Sequence, residues 1–294
     1  MERKLSVGET LSFVFSFAAK RIDLFFRLAW LPLLLSVAGT AIVITAFDAG
    51  LFASARTGAD PYADADWGRM AIGYGLSLLG LVAFVPAYVV MTRAAAGGYE
   101  APRGLFAGLR FGGREGRVIG AAILWFLLFL AIYFGITLVS SLLIGGVTGA
   151  LMGTGGGDGF VLAAVVGFAM FLAIFGVVIY FSVRSLLFIP MAATENRIAL
   201  GDAWAATKGN FWRLFAVGLV LYLAAFGLYL AFAAVMGVVI GLVGEAGMIP
   251  AALVLGLLAI PAYAFLYLLF IAYPGRAAGV LRPMSETRAA EVFA

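Results

Sequence analysis

"ATKGNFWRLFAVGLVLYLAAFGLYLAF", residues 206–232, sets a basic residue, a Gly-Asn pair, two aromatics and an arginine directly against a long apolar run. About 20 apolar residues in helical form span a bilayer core, and the chain after Arg213 carries no charged residue until Glu245. A barrel strand would alternate apolar and polar positions over about 10 residues. This stretch does not alternate, so it predicts a transmembrane helix with an amphipathic lead-in.

Outward from that stretch, the same character recurs. Of the 294 residues, 64% are hydrophobic and 12% are charged, whereas a soluble domain holds about 45–50% apolar and about 25% charged residues. Six spans are expected, at about 24–47, 70–92, 118–144, 160–183, 214–242 and 249–275. No polar stretch is long enough to build a separate soluble core, so residues 1–294 read as one all-α, polytopic membrane domain. The N-terminal "MERKLSVGETLSFVFSFAAKR" lacks the unbroken apolar core and small-residue cleavage site of a signal peptide, and is read as part of the mature chain.

The connections alternate in charge. The segments at 93–117 and 184–213 and both termini gather Arg and Lys, while those near 48–69, 145–159 and 243–248 carry Asp48, Asp60, Asp64, Asp66, Asp158 and Glu245, with Arg56 and Arg69 their only basic residues. Positive-inside bias then places both termini in the cytoplasm.

Three stretches share a layout: "GETLSFVFSFAAKRIDLFFR" from Gly8, "GLFAGLRFGGREGR" from Gly104 and "GDAWAATKGNFWR" from Gly201. Each leads through a polar or basic turn to an arginine (Arg27, Arg117 or Arg213) and then into a span. The endings "TRAAAGG" at 92–98 and "GRAAG" at 275–279 are also alike, whereas the ending at Arg184 does not match. The chain therefore divides into candidate units 6–98, 99–193 and 194–282, each an interfacial helix followed by two spans in a parallel repeat. Alternating topology alone also puts basic turns at these places.

In the lead-ins, Leu200, Ala203, Trp204 and Thr207, and likewise Leu11, Val14, Phe15 and Ala18, fall on one helical face. Such a face is expected to lie down in the headgroup plane, although ordinary cytoplasmic loops with helical content would carry the same pattern. Arg27, Arg117, Lys208, Trp212 and Arg213 are the candidate lipid-headgroup contacts: basic side chains attract anionic lipid, and a tryptophan suits the interface.

Little else points to chemistry. There is no Cys and no His, so thiol nucleophiles, imidazole bases and Cys/His metal sites are excluded. No ionisable residue falls at mid-span; Asp48, Arg69, Arg93 and Arg184 stand at span ends, where long side chains snorkel. "GTGGGDG" at 153–159 lacks the lysine of a phosphate loop and reads as a hairpin. Asp60, Tyr62, Asp64 and Asp66 fit no calcium-loop spacing. The small-residue pairs Gly145/Gly149 and Gly237/Gly241 would allow close helix approach. No cofactor, metal or nucleic-acid partner is expected.

The stretch "ENRIALGDAWAATKGNFWRLFAVGLVL" at 195–221, and "SVGETLSFVFSFAAKRIDLFFRLAWLPLLL" at 6–35, resemble the YciC-like bacterial inner-membrane proteins and the membrane domain sometimes fused to glycerophosphodiester phosphodiesterases. The resemblance implies a multi-pass protein of the bacterial inner membrane and supplies no catalytic residues. The expectation is a non-enzymatic factor in membrane or envelope homeostasis that contacts anionic lipid or a membrane-protein partner. The alternatives are a carrier for lipids or small amphiphiles and a lipid-headgroup enzyme using Glu100, Arg103 and Glu115 or Glu195, Arg197 and Asp202.

Overall fold

The computed structural model describes residues 4–46, 66–97, 99–104, 106–152, 157–198 and 200–281. Asp60, Tyr62 and Asp64, and most of the Gly-rich 153–159 connection, lie outside them. Every regular element among the described residues is helical. The elements are α1 (Val7–Lys20), α2 (Ile22–Ala46), α3 (Trp67–Ala96), a 3₁₀ turn (Ala107–Leu109), α4 (Gly113–Met152), α5 (Gly157–Ser185), α6 (Phe188–Glu195), α7 (Leu200–Ala206) and α8 (Phe211–Leu281). Six segments are long and apolar enough to cross a membrane, which defines a multi-pass membrane protein.

Local sequence sets the ends. Ser6 caps α1 by accepting from the Glu9 N–H at 3.4 Å, with Glu9 in the first turn and Lys20 in the last, each charge favourably placed against the helix dipole. Asp66 caps α3 by accepting from the Arg69 N–H at 3.0 Å. Asn196 ends α6 in the left-handed conformation, φ 58°, which asparagine tolerates better than most residues.

The spans form three antiparallel hairpins. In the first, α2 and α3 touch backbone to backbone. A Cβ placed on Gly73 would lie 2.6 Å from Val43 Cγ2, and one on Gly80 would lie 2.6 Å from Ser36 Oγ. The second pairs α4 with α5; Trp125 Nε1 donates to Ser185 Oγ at 3.0 Å where their basic ends meet. The third lies within α8. Its 71 residues would reach about 106 Å if straight, yet the Tyr273 hydroxyl donates to the Leu214 carbonyl and the Tyr222 and Phe270 rings stand 5.1 Å apart. The chain therefore doubles back. The connection expected at 243–248 carries helical backbone rather than an irregular loop.

The buried core gathers at one end of the hairpins, the end that carries the arginines. Leu5, Phe25, Met91, Phe188, Leu214 and Leu268 are fully buried there. Farther out, the arms expose large apolar side chains such as Leu79, Phe134, Phe171 and Phe226, a surface suited to hydrocarbon rather than water.

Several expectations are corrected. The lead-in faces point into protein. On α1 the buried residues are Thr10, Val14, Phe17 and Ala18, because α1 packs on α8; Leu11 and Phe15 are only half-buried. On α7, Ala203 and the following Thr207 are buried. The second lead-in holds a three-residue 3₁₀ turn instead of an amphipathic helix. The segment after Arg184 is no open loop, since α6 buries Phe188, Pro190, Met191, Ala192 and Ala193. Among the described residues, a Cβ placed on Gly149, Gly237 or Gly241 would meet no atom within 4 Å, so close helix approach is not seen at these glycines. Gly275 and Gly279 take that part instead.

Candidate functional site

The opening stretch, residues 206–214, joins the segment ahead of α1 to the second and third hairpins. Lys208 N–H donates to Ala205 and Asn210 N–H to Thr207, and Gly209 between them takes φ +76°, a left-handed turn that favours glycine. The tight turn aims three groups in three directions. Asn210 Oδ1 accepts from the Leu5 N–H at 2.9 Å, tying down the segment before α1. Thr207 Oγ1 accepts from Arg184 Nη1 at 3.0 Å, holding the end of α5. The Leu214 carbonyl, one turn into α8, takes the hydroxyl of Tyr273 on the returning arm.

Arg184 does not snorkel. It is 8% exposed, with Trp204 under its guanidinium at 4.7 Å and Tyr180 at 6.0 Å. The Phe181 ring lies 5.9 Å from the same indole. Trp204 and Thr207, two of the four residues of that stripe, thus hold this arginine instead of facing lipid. Arg184 Nε is buried without a hydrogen-bond partner.

The other two span-ending arginines are also stacked. Arg93 lies 3.7 Å over Tyr99, and Arg276 lies 4.7 Å over Phe13. Across the boundaries 6–98, 99–193 and 194–282 each contact crosses to the next unit: Arg93 to Tyr99, Arg184 to Trp204, and Arg276 back to Phe13. A cation over an aromatic face contributes about 0.5–1 kcal/mol when exposed and about 2 when desolvated. The alike endings at 92–98 and 275–279 meet face to face. A Cβ on Gly275 would lie 2.9 Å from the Thr92 carbonyl oxygen, and one on Gly279 would press on the Ala96 carbonyl.

The sequence-derived contacts divide. Lys208 is exposed, Trp212 is 74% exposed and Arg213 is half-buried, all within one turn of the junction. Arg117, on α4, is exposed, and its Nη1 donates to Asn196 Oδ1 at 2.7 Å. Arg27, on α2, is half-buried, with its Nε buried and unpartnered. The structure therefore groups Lys208, Trp212 and Arg213, while Arg27 and Arg117 belong to the other hairpins. Sequence reasoning missed Arg184, Thr207 and Asn210 as a connected set. The available signal was Trp204 and Thr207 on one face ahead of an internal Gly-Asn.

Of the acidic candidates, Glu115, Glu195 and Asp202 are engaged locally, while Glu100 is exposed. Arg197 pairs with Glu195 at 2.9 Å and Asp202 at 2.6 Å. The Glu195 hydrogen bond, then the charges of Glu195 and Asp202, hold this guanidinium further above its ordinary range. Glu115 accepts from the Gly112 N–H at 2.9 Å, closing the start of α4. Among the described residues no group of three His, Cys, Asp or Glu is placed to hold a metal ion. Comparison with protein-family models, curated proteins and solved structures gives no match to this chain.

Proposed function

We propose that this chain is a non-enzymatic protein of the bacterial inner membrane, with both termini cytoplasmic. In this reading its basic end rests against anionic headgroups and supports membrane or envelope homeostasis through lipid or partner contacts. The carrying observation is the exposed Lys208 and Trp212 beside Arg213, set on a turn that the fold holds rigid from three sides. An indole left open at the mouth of a span fits the headgroup level, and a neighbouring cation adds about 1 kcal/mol of attraction to an anionic surface. The internal pairing of Arg197 with Glu195 and Asp202 favours this over headgroup chemistry at that cluster. The ring of arginine–aromatic contacts supports three repeated units.

Replacing Lys208 and Arg213 together by Gln should leave insertion intact, because the remaining basic residues still fix orientation. Retention of phosphatidylglycerol, read by native mass spectrometry, should fall by roughly fivefold per charge removed. Equal retention by the wild type and the double variant would remove the main support for the lipid-contact reading.

A further inference from the structure

Among the described residues Arg184 meets no anion. Its Nη1 has Thr207 and its face has Trp204, but its Nε is buried and unpartnered. No carboxylate of the described residues forms an ion pair with it. A buried charge left without a counter-charge is expensive, and such a residue at the end of a membrane-spanning element is a candidate functional site.

The same helix supplies a place for the rest of a ligand. One turn before Arg184, Phe181 lines a cavity of about 460 Å³ between α4 and α5, with Phe129, Ile136, Ile174 and Val178 among its walls. That volume falls within the about 300–1,000 Å³ of small-molecule sites. The lining is apolar apart from Tyr133, Thr137, Ser140 and Ser141, and Ser140 Oγ is already bonded to the Ile136 carbonyl at 2.6 Å. Phe181 joins the two features, because its ring touches Trp204, on which Arg184 is stacked. An apolar slot between two membrane-spanning arms, with a buried cation one helical turn beyond its Phe181 wall, matches an amphiphile with one negative headgroup and a long chain.

We propose that Arg184 and the α4–α5 cavity bind one anionic phospholipid, with its phosphate on the guanidinium and one acyl chain between the arms. This deepens the lipid reading above and rests on it, but uses a site separate from Lys208 and Arg213.

The test uses the full chain in nanodiscs of phosphatidylcholine doped with phosphatidylglycerol carrying a photoactivatable group in its chain, with cross-links mapped by mass spectrometry. Cross-links are expected on cavity residues such as Ile174 and Val178. Arg184→Gln should reduce them at least about fivefold, the effect of about one headgroup charge, and Arg184→Lys should retain most of them. Ser141→Phe should block the chain while leaving Arg184 untouched, which guards against misfolding of the charge variant. Lys208→Gln/Arg213→Gln should lower total lipid retention yet leave the cavity cross-links in place, so failure of the surface reading is distinguishable from failure of this one. Cavity cross-links unchanged in Arg184→Gln, equal labelling by a phosphatidylcholine probe, or full competition by chain-free glycerol phosphate would each overturn the proposal.

Discussion

Asn210 shows how one side chain can decide an arrangement. Its Oδ1 is the acceptor for a buried N–H 205 positions earlier in the chain, and Asn210 itself is buried. Removing that acceptor leaves the Leu5 N–H unsatisfied, at a cost of about 1–3 kcal/mol. Asn210→Ala should therefore lower the thermal unfolding temperature in detergent, and Asn210→Ser, which keeps a neutral oxygen acceptor at the start of α8, should lower it less. Equal effects would mean that the hydrogen bond contributes nothing beyond packing. This residue was visible in the sequence only as part of a Gly-Asn turn. Its partner was not legible, because a contact across 205 residues leaves no periodic trace. The same holds for Arg184: a span-ending arginine reads as a topology marker, and only the folded α7 stripe reveals that it is enclosed by Trp204 and Thr207.

Helix contacts show a similar division between what pattern reveals and what packing decides. The spans were legible because hydrophobic length is written directly into composition. Which glycines bring helices together was not, since Gly237/Gly241 and Gly275/Gly279 have the same spacing and only the latter meets a neighbour. The consequence is measurable. A methyl group on Gly279 would collide with the Ala96 carbonyl and force α3 and α8 apart; overpacking of this kind costs about 1–3 kcal/mol. Gly227 has open space around it, and alanine is the better helix former. Gly279→Ala should destabilise the protein in detergent unfolding, while Gly227→Ala should be neutral or slightly stabilising. The burial of α6 was missed for a related reason: "LLFIPMAAT" at 186–194 has the composition of a span end, and only the break after Ser185 turns it inward.

For the whole molecule, three helical hairpins share a packed base at their basic end and spread apolar surfaces beyond it. Arginines reach from each unit to an aromatic in the next and close the circle at Phe13. That closure explains why α1 packs against protein, where its amphipathic face alone suggested lipid. The lipid contacts proposed at Lys208, Trp212 and Arg213, and the deeper one at Arg184, all require this base to face the cytoplasm. Cysteine accessibility tests that requirement most directly, on a chain with no native cysteine to confuse it. In intact cells, an impermeant thiol reagent applied from outside should label Asp64→Cys and Glu245→Cys and leave Arg103→Cys and Arg110→Cys unlabelled until the membrane is broken. Labelling of the two arginine positions in intact cells, with protection of the two acidic ones, would contradict the account.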